Sequence, residues 1–186
     1  MAVEIELKAW VDDPESVKKR IPQGAKYLGS FEKADQYWNI PPEYGVGTNF
    51  PSGIRVRNEL KTVKEPVRRS FVCFKIKERR DGIEVNDERE FEVSDSGLFT
   101  ELLERLALVR AQAKTKTGWA WEYEGITIEL AFVAGLGCFV ELEILSPAGD
   151  DGAVEAGRKR LLALLAVLGI AEDKIERRYY TEMLQK

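Results

Sequence analysis

The chain of 186 residues is long enough for one domain, is 44% hydrophobic and 32% charged, and carries a net charge of −4. That balance excludes a disordered chain and leaves no electrostatic footprint for duplex nucleic acid; no apolar run approaches the ~20 residues of a membrane span. Histidine is absent, which excludes Ser-His-Asp and Cys-His catalysis and leaves only oxygen-rich metal sites of the Mg²⁺, Mn²⁺ or Ca²⁺ kind.

Met1-Ala2-Val3-Glu4 enters a strand pattern at once, which leaves no room for a signal peptide and gives a cytoplasmic location as the expectation. The first strand spans 3–10, where Glu4, Glu6 and Lys8 share one face and Ile5 and Leu7 the other. Asp13-Pro14 caps a short helix to about Arg20. A strand is predicted at 34–40, in which the neighbours Tyr37 and Trp38 face opposite ways. Pro41 to Gly53 reads as a loop. The next strand, 53–60, carries Ile54-Arg55-Val56-Arg57, with both arginines on one face. Glu59 to Arg69 reads as a second loop.

Strands at 70–78 and 84–93 follow. Between them Glu78-Arg79-Arg80-Asp81, with Glu84 and Asp87, reads as a charged hairpin turn, and Glu88 and Arg89 read as surface. Asp95 or Ser96 caps a helix with Leu98, Leu102, Leu103 and Leu106 at helical spacing. Strands at 111–123 and 125–131 meet at a Glu124-Gly125 turn, with Trp119, Trp121 and Tyr123 on one face as outward core under a helix. Gly135-Leu136-Gly137 opens the strand 138–145, where Glu141 and Glu143 share a face. A leucine-rich helix runs from Val154 to Leu168, stopped by Gly169, and a last short one includes Tyr180 to Leu184. Cys73 and Cys138 read as small buried hydrophobes.

The bulky faces of these strands (Val3, Ile5, Leu7; Val72, Phe74, Ile76; Ile126, Ile128, Leu130; Val140, Leu142, Ile144) need the helices as partners, so the charged faces point away from them. An open antiparallel sheet with one wet face satisfies this. A closed barrel with a polar interior satisfies it equally. The segregation of charge, with acidic pairs on some strands and cationic pairs on others, suits a site that holds metal ions beside a polyanion.

The ordered words Glu4-x-Glu6-x-Lys8, Asp35-Gln36-Tyr37, Ile54-Arg55-Val56-Arg57, Phe74-Lys75, Glu90-Phe91-Glu92, Lys114-x-Lys116, Ile128-Glu129-Leu130, Gly135-Leu136-Gly137-Cys138-Phe139 and Glu141-Leu142-Glu143 resemble the CYTH family. These are the triphosphate tunnel metalloenzymes, among them class IV adenylyl cyclases and thiamine triphosphatases. The ending Arg178-Tyr179-Tyr180-Thr181-Glu182-Met183-Leu184 looks like the adenylyl cyclase-like branch. The resemblance covers residues 4–184 and implies an α+β fold: one domain over 1–186, built as a closed eight-stranded antiparallel barrel with a charged interior and helices outside.

It also implies Mg²⁺ or Mn²⁺ and a triphosphate: ATP converted to cyclic AMP and pyrophosphate, or, alternatively, hydrolysis of thiamine, inorganic or nucleoside triphosphate. Glu4, Glu6, Glu129, Glu141 and Glu143 match metal positions, with Glu90 and Glu92 a further acidic pair. Lys8, Arg55, Arg57, Lys75, Lys114, Lys116 and Arg178 match phosphate contacts, and Lys8 and Glu129 are the catalytic candidates. No nucleic acid or membrane partner is implied, and a homodimer is compatible. Two positions depart from the family: Glu129 stands where aspartate is usual, and Lys116 where arginine is common. A non-catalytic polyphosphate- or nucleotide-binding module is the alternative of another class.

Overall fold

Strands whose faces differ this sharply are stable only if one face meets a core and the other meets countercharges, and the chain achieves both by curling its sheet closed. A computed structural model describes residues 3–44, 53–80, 83–147 and 150–185, apart from the side chains of Pro42 and Lys77. The long strands are β1 (Val3–Trp10), β2 (Lys26–Asn39), β3 (Gly53–Thr62), β4 (Pro66–Arg80), β5 (Ile83–Val93), β6 (Val109–Tyr123), β7 (Ile126–Val133) and β8 (Gly137–Ser146). They are hydrogen-bonded antiparallel in the order β5-β4-β3-β2-β6-β7-β8-β1. The seam between β1 and β5 closes the barrel through Glu4↔Asn86, Ile5↔Val85 and Glu6↔Glu84. Beyond the seam the two-residue β9 (Ile175–Glu176) takes over the same edge of β1, at Lys8 and Ala9.

The helices α1 (Pro14–Lys19), α2 (Ser96–Arg105), α3 (Asp151–Val167) and α4 (Tyr180–Met183) lie outside the wall. Each of the first three is capped by an aspartate side chain that accepts from first-turn amides: Asp13, Asp95 and Asp150. The buried stripe of α3 (Val154, Leu161, Leu164 and Leu165) shares one core cluster with Ile5, Leu7, Ile128, Val140 and Leu142. Gly157 lets the helix approach, because a Cβ there would lie 2.8 Å from Cδ1 of Ile5. Trp119, Trp121 and Tyr123 pack on this cluster, as expected of outward core. On the other side Leu103 of α2 covers Trp38, Val56 and Val72. Among the described residues no helix is long and apolar enough to cross a membrane.

Several expectations need correction. β2 begins at Lys26, eight residues early, because Gly29 at φ 113° and a register shift beside it form a bulge that disguises the alternation. The supposed loop from Glu59 to Arg69 is mostly paired strand, with Glu59↔Arg69 and Thr62↔Pro66 in register. Pro66 sits at the first strand residue, where its missing N–H is tolerated. Phe74 and Ile76 are 36% and 38% exposed rather than covered, since α2 reaches only as far as Val72. Cys73 points inward among charges, whereas Cys138 packs on the outer core. Residues 45–52, in the predicted loop, and 81–82, at the hairpin tip, lie outside the described residues.

Candidate functional site

Because strand parity repeats every two residues, the register of the barrel dictates which charges meet inside it. Lys8 is paired with Glu141, and Glu141 with Glu129, across β1, β8 and β7; one step along, Glu6 is paired with Glu143. On the opposite wall Asp35 faces Arg57 on one side and Lys114 on the other, and Tyr37 faces Arg55. Lys75 faces Glu88 on β4 and β5. These side chains, apart from Asp35, line a cavity of about 510 Å³. Its described lining holds eight glutamates and seven lysine or arginine side chains, so acid is in slight excess.

The cations are nearly all engaged. Arg57 grips Asp35 with a fork, Nε to Oδ1 at 2.7 Å and a terminal nitrogen to Oδ2 at 2.9 Å, and Lys114 adds a contact at 3.2 Å. Burial alone would raise the Asp35 carboxyl, but Arg57 and Lys114 hold it well below the usual range. Arg55 donates to Glu88 and Glu90, at 2.8 and 3.1 Å. Lys75 lies 3.2 Å from Glu4 and 2.9 Å from Glu88. Lys8 pairs with Glu84 in full burial. Lys116 donates to Glu129 at 2.8 Å and to Glu141 at 2.6 Å, while Lys33 takes the other oxygen of Glu129. These lysines outweigh burial and keep Glu129 and Glu141 ionised.

Three carboxylates carry more negative charge than their neighbours offset, Glu4 even with Lys75 beside it. Burial, with repulsion from neighbouring glutamates, pushes Glu4 and Glu6 up to about 7 and Glu143 up to about 8. Glu143 and Glu4 lie within hydrogen-bonding reach of each other, an arrangement that requires a shared proton or a cation between them. Hard oxygen donors with unspent negative charge, set in a cavity, fit a divalent cation of the Mg²⁺ or Mn²⁺ kind. A different trio, Cys73, Glu88 and Glu90, has donor atoms within 4.8 Å of one another. Arg55 already occupies both of those glutamates, and burial pushes the Cys73 thiol up to about 12, so that trio is less suited to a metal than Glu4, Glu6 and Glu143.

Of the residues singled out from sequence, Glu4, Glu6, Lys8, Arg55, Arg57, Lys75, Lys114, Lys116, Glu129, Glu141 and Glu143 converge on this cavity, with Glu90 at its edge. Two do not. Arg178 is 61% exposed and its fork is taken by Glu176. Glu92 is 53% exposed beside Arg69 at the far end of β5, because the wall there has opened to solvent. Lys33, Asp35, Glu84, Glu88 and Tyr180 were not anticipated as site residues. Glu84 and Glu88 share the parity of Glu90, so the alternation of β5 contained the signal. Tyr180 had none: α4 folds back over the cavity, where the Tyr180 hydroxyl donates to Glu141 at 2.9 Å. The Gln112 amide holds α4 at the Thr181 carbonyl, and Arg79 holds it at Glu182. Tyr37 faces the site, its hydroxyl 3.5 Å from Asp35, while Trp38 faces outward.

Comparison with known proteins agrees with this geometry. A Methanocaldococcus jannaschii protein, named as a proposed adenylate cyclase, is 23% identical over 182 residues, covering 97% of this chain and 98% of its own. The structure of a Pyrococcus horikoshii OT3 protein matches with a TM-score of 0.77 at 27% identity, over 98% of this chain and 99% of that one. A Hippeastrum protein shares the fold at a TM-score of 0.62 and 16% identity, over 96% and 91% of the two chains; it is described as a proposed adenylyl cyclase with a dominant triphosphatase activity. The profile of the CYTH domain matches residues 2–180, and the chain belongs to that family.

Proposed function

We propose that the chain is a divalent-metal-dependent enzyme acting on a triphosphate inside the barrel, of the class IV adenylyl cyclase type, converting ATP to cyclic AMP and pyrophosphate. The observation that carries this reading is the division of one cavity into a surplus of acid at Glu4, Glu6 and Glu143 and a set of cations on the remaining wall. A triphosphate carries about four negative charges near neutral pH and needs cations from several directions. Lys8, Arg55, Arg57, Lys75, Lys114 and Lys116 approach the cavity from four different strands. Glu4, Glu6 and Glu143 are the residues that would hold metal. A divalent ion bound there supplies Lewis-acid stabilisation of phosphoryl oxygens.

In the cyclase the 3′-hydroxyl oxygen bonds to the α-phosphorus, the bond to the bridging oxygen breaks, and pyrophosphate leaves with that electron pair. The hydroxyl proton passes to solvent or to a buried carboxylate. The residues of this chain contribute position and fixed charge, which is most of what phosphoryl chemistry asks of a protein. The second reading, a triphosphatase, uses the same cations with water as nucleophile at the terminal phosphorus. The description of the Hippeastrum fold relative keeps it in view.

One incubation separates the readings. ATP, thiamine triphosphate and inorganic triphosphate are each supplied with Mn²⁺ or Mg²⁺, and with chelator, and the products are resolved by chromatography. Cyclic AMP with pyrophosphate supports the cyclase. Inorganic phosphate with the shortened substrate supports the hydrolase. Tight binding of all three without turnover under either metal would leave a binding module instead.

A further inference from the structure

We propose that Lys116 is a tethered counter-ion that couples anion binding to metal binding: it masks a second cation site between Glu129 and Glu141 until an anion draws it away. This rests on the metal-and-triphosphate reading above and adds to it the order in which the charges are exchanged. Glu129 and Glu141 are direct cross-strand partners on β7 and β8. Oε2 of each is turned to the Lys116 ammonium, at 2.8 and 2.6 Å, and that lysine is only 4% exposed. The ammonium thus occupies the point between two carboxylates that a divalent ion would take.

The anchors of the two carboxylates are what make the site latent rather than absent. Oε1 of Glu129 is held by Lys33, and Oε1 of Glu141 accepts from the Tyr180 hydroxyl at 2.9 Å. If Lys116 leaves, each carboxylate keeps one fixed oxygen, so the two freed oxygens stay aimed at the point the ammonium left. Lys116 is also suited to leave. A lysine is a point charge on a four-carbon stem, able to swing toward an anion in the cavity it lines. Arg57, held at two points by Asp35, is not free in that way. An anion that takes the ammonium uncovers the site, and by linkage a cation that takes the site releases the ammonium to the anion.

The test counts Mn²⁺ bound to the full chain by electron paramagnetic resonance in anion-free buffer. Wild type is expected to bind about one ion, at Glu4, Glu6 and Glu143, and Lys116→Met about two. Lys114→Met removes an equally buried tunnel lysine that is paired with Asp35 instead, and should stay at about one. Adding excess sulfate should bring wild type to the count of Lys116→Met. Equal counts for wild type and Lys116→Met, or a gain by Lys114→Met as large as that of Lys116→Met, would overturn the coupling. Absence of any bound Mn²⁺ in wild type would instead overturn the metal reading beneath it.

Should Lys116→Met fail to fold, tripolyphosphate affinity in chelator decides. Glu141→Gln, which removes one of the two carboxylates that hold Lys116, should tighten binding about tenfold more than Glu143→Gln, which removes a carboxylate without a lysine partner. Equal gains from the two variants would overturn the proposal.

Discussion

Asp35 and Arg57 face each other across β2 and β3 in a two-point contact, and the aspartate is 1% exposed, deeper in the wall than the cavity it serves. It carries no substrate itself in this arrangement. It sets the direction of Arg57 and, through the third contact, of Lys114. Two cations in a barrel interior are tolerable because this one carboxylate lies between them.

Asp35→Ala should therefore lower stability by about 3–5 kcal/mol, the usual penalty for leaving a buried charge without its partner. Saturating inorganic triphosphate should restore part of the loss, since an anion can stand in for the missing carboxylate. Thermal melts with and without triphosphate check both, and equal ligand-induced shifts in the variant and wild type would contradict the second.

The surplus carboxylates give a pH dependence of definite sign. Glu4, Glu6 and Glu143 go from an ordinary 4.5 to about 7, 7 and 8, so the folded chain keeps protons that the unfolded chain releases. Their contribution to stability is complete below pH 4.5 and is lost as pH rises toward 8. Glu88, Glu129 and Asp35, held low by cations, act in the opposite sense but only below about pH 4.5. Melts in chelator should show falling stability from pH 5 to 8, and Mn²⁺ should flatten that slope. A flat profile in chelator would remove the argument for uncompensated charge.

Arg178 and Arg57 should separate cleanly. Arg57→Ala is expected to weaken triphosphate binding at least about tenfold, the worth of one charge-assisted contact. Arg178→Ala should change it less than about twofold, because its guanidinium lies outside the cavity on Glu176. Calorimetric titration with inorganic triphosphate tests the pair, and similar losses would put Arg178 back among the phosphate contacts.

Leu142→Ala tests the outer face of the same strand that carries Glu141 and Glu143. Leu142 is fully buried under α3, and its truncation should lower stability by about 2–5 kcal/mol. Triphosphate affinity measured well below the melting temperature should be unchanged, because the side chain points away from the cavity. A large fall in affinity without a fall in melting temperature would contradict the division between faces.

How much of this was legible follows from which signals are local. Alternation is local, so Glu4, Glu6, Arg55, Arg57, Glu141 and Glu143 were assigned to one face correctly. The same rule applied along all of β5 would have brought Glu84 and Glu88 inside, where Lys8 and Lys75 hold them. Lys33 was hidden because the bulge at Gly29 breaks the period just before it. The whole contribution of α4 was out of reach, since Tyr180 meets Glu141 across 39 residues and Glu182 meets Arg79 across 103. Closure itself was not decided by pattern. It depends on a seam of three residue pairs among the described residues, and the resemblance to tunnel enzymes supplied what periodicity left open.

The place of β1 in that seam has a consequence for how the chain is made. Its long partner is β8, with Glu6 set against Glu143, 137 residues later. On the ribosome β1 emerges before the other strands of this barrel, yet it is among the last to complete its pairing. Until β8 has been synthesised, β1 has only the short register with β5, and its Ile5 and Leu7 have no α3 to cover them. Pairing at such separation makes closure slow, and an exposed apolar strand invites association with other chains meanwhile. The glutamates and lysine spaced along β1 then have an earlier use: charge on every second residue keeps a waiting edge from recruiting the wrong strand.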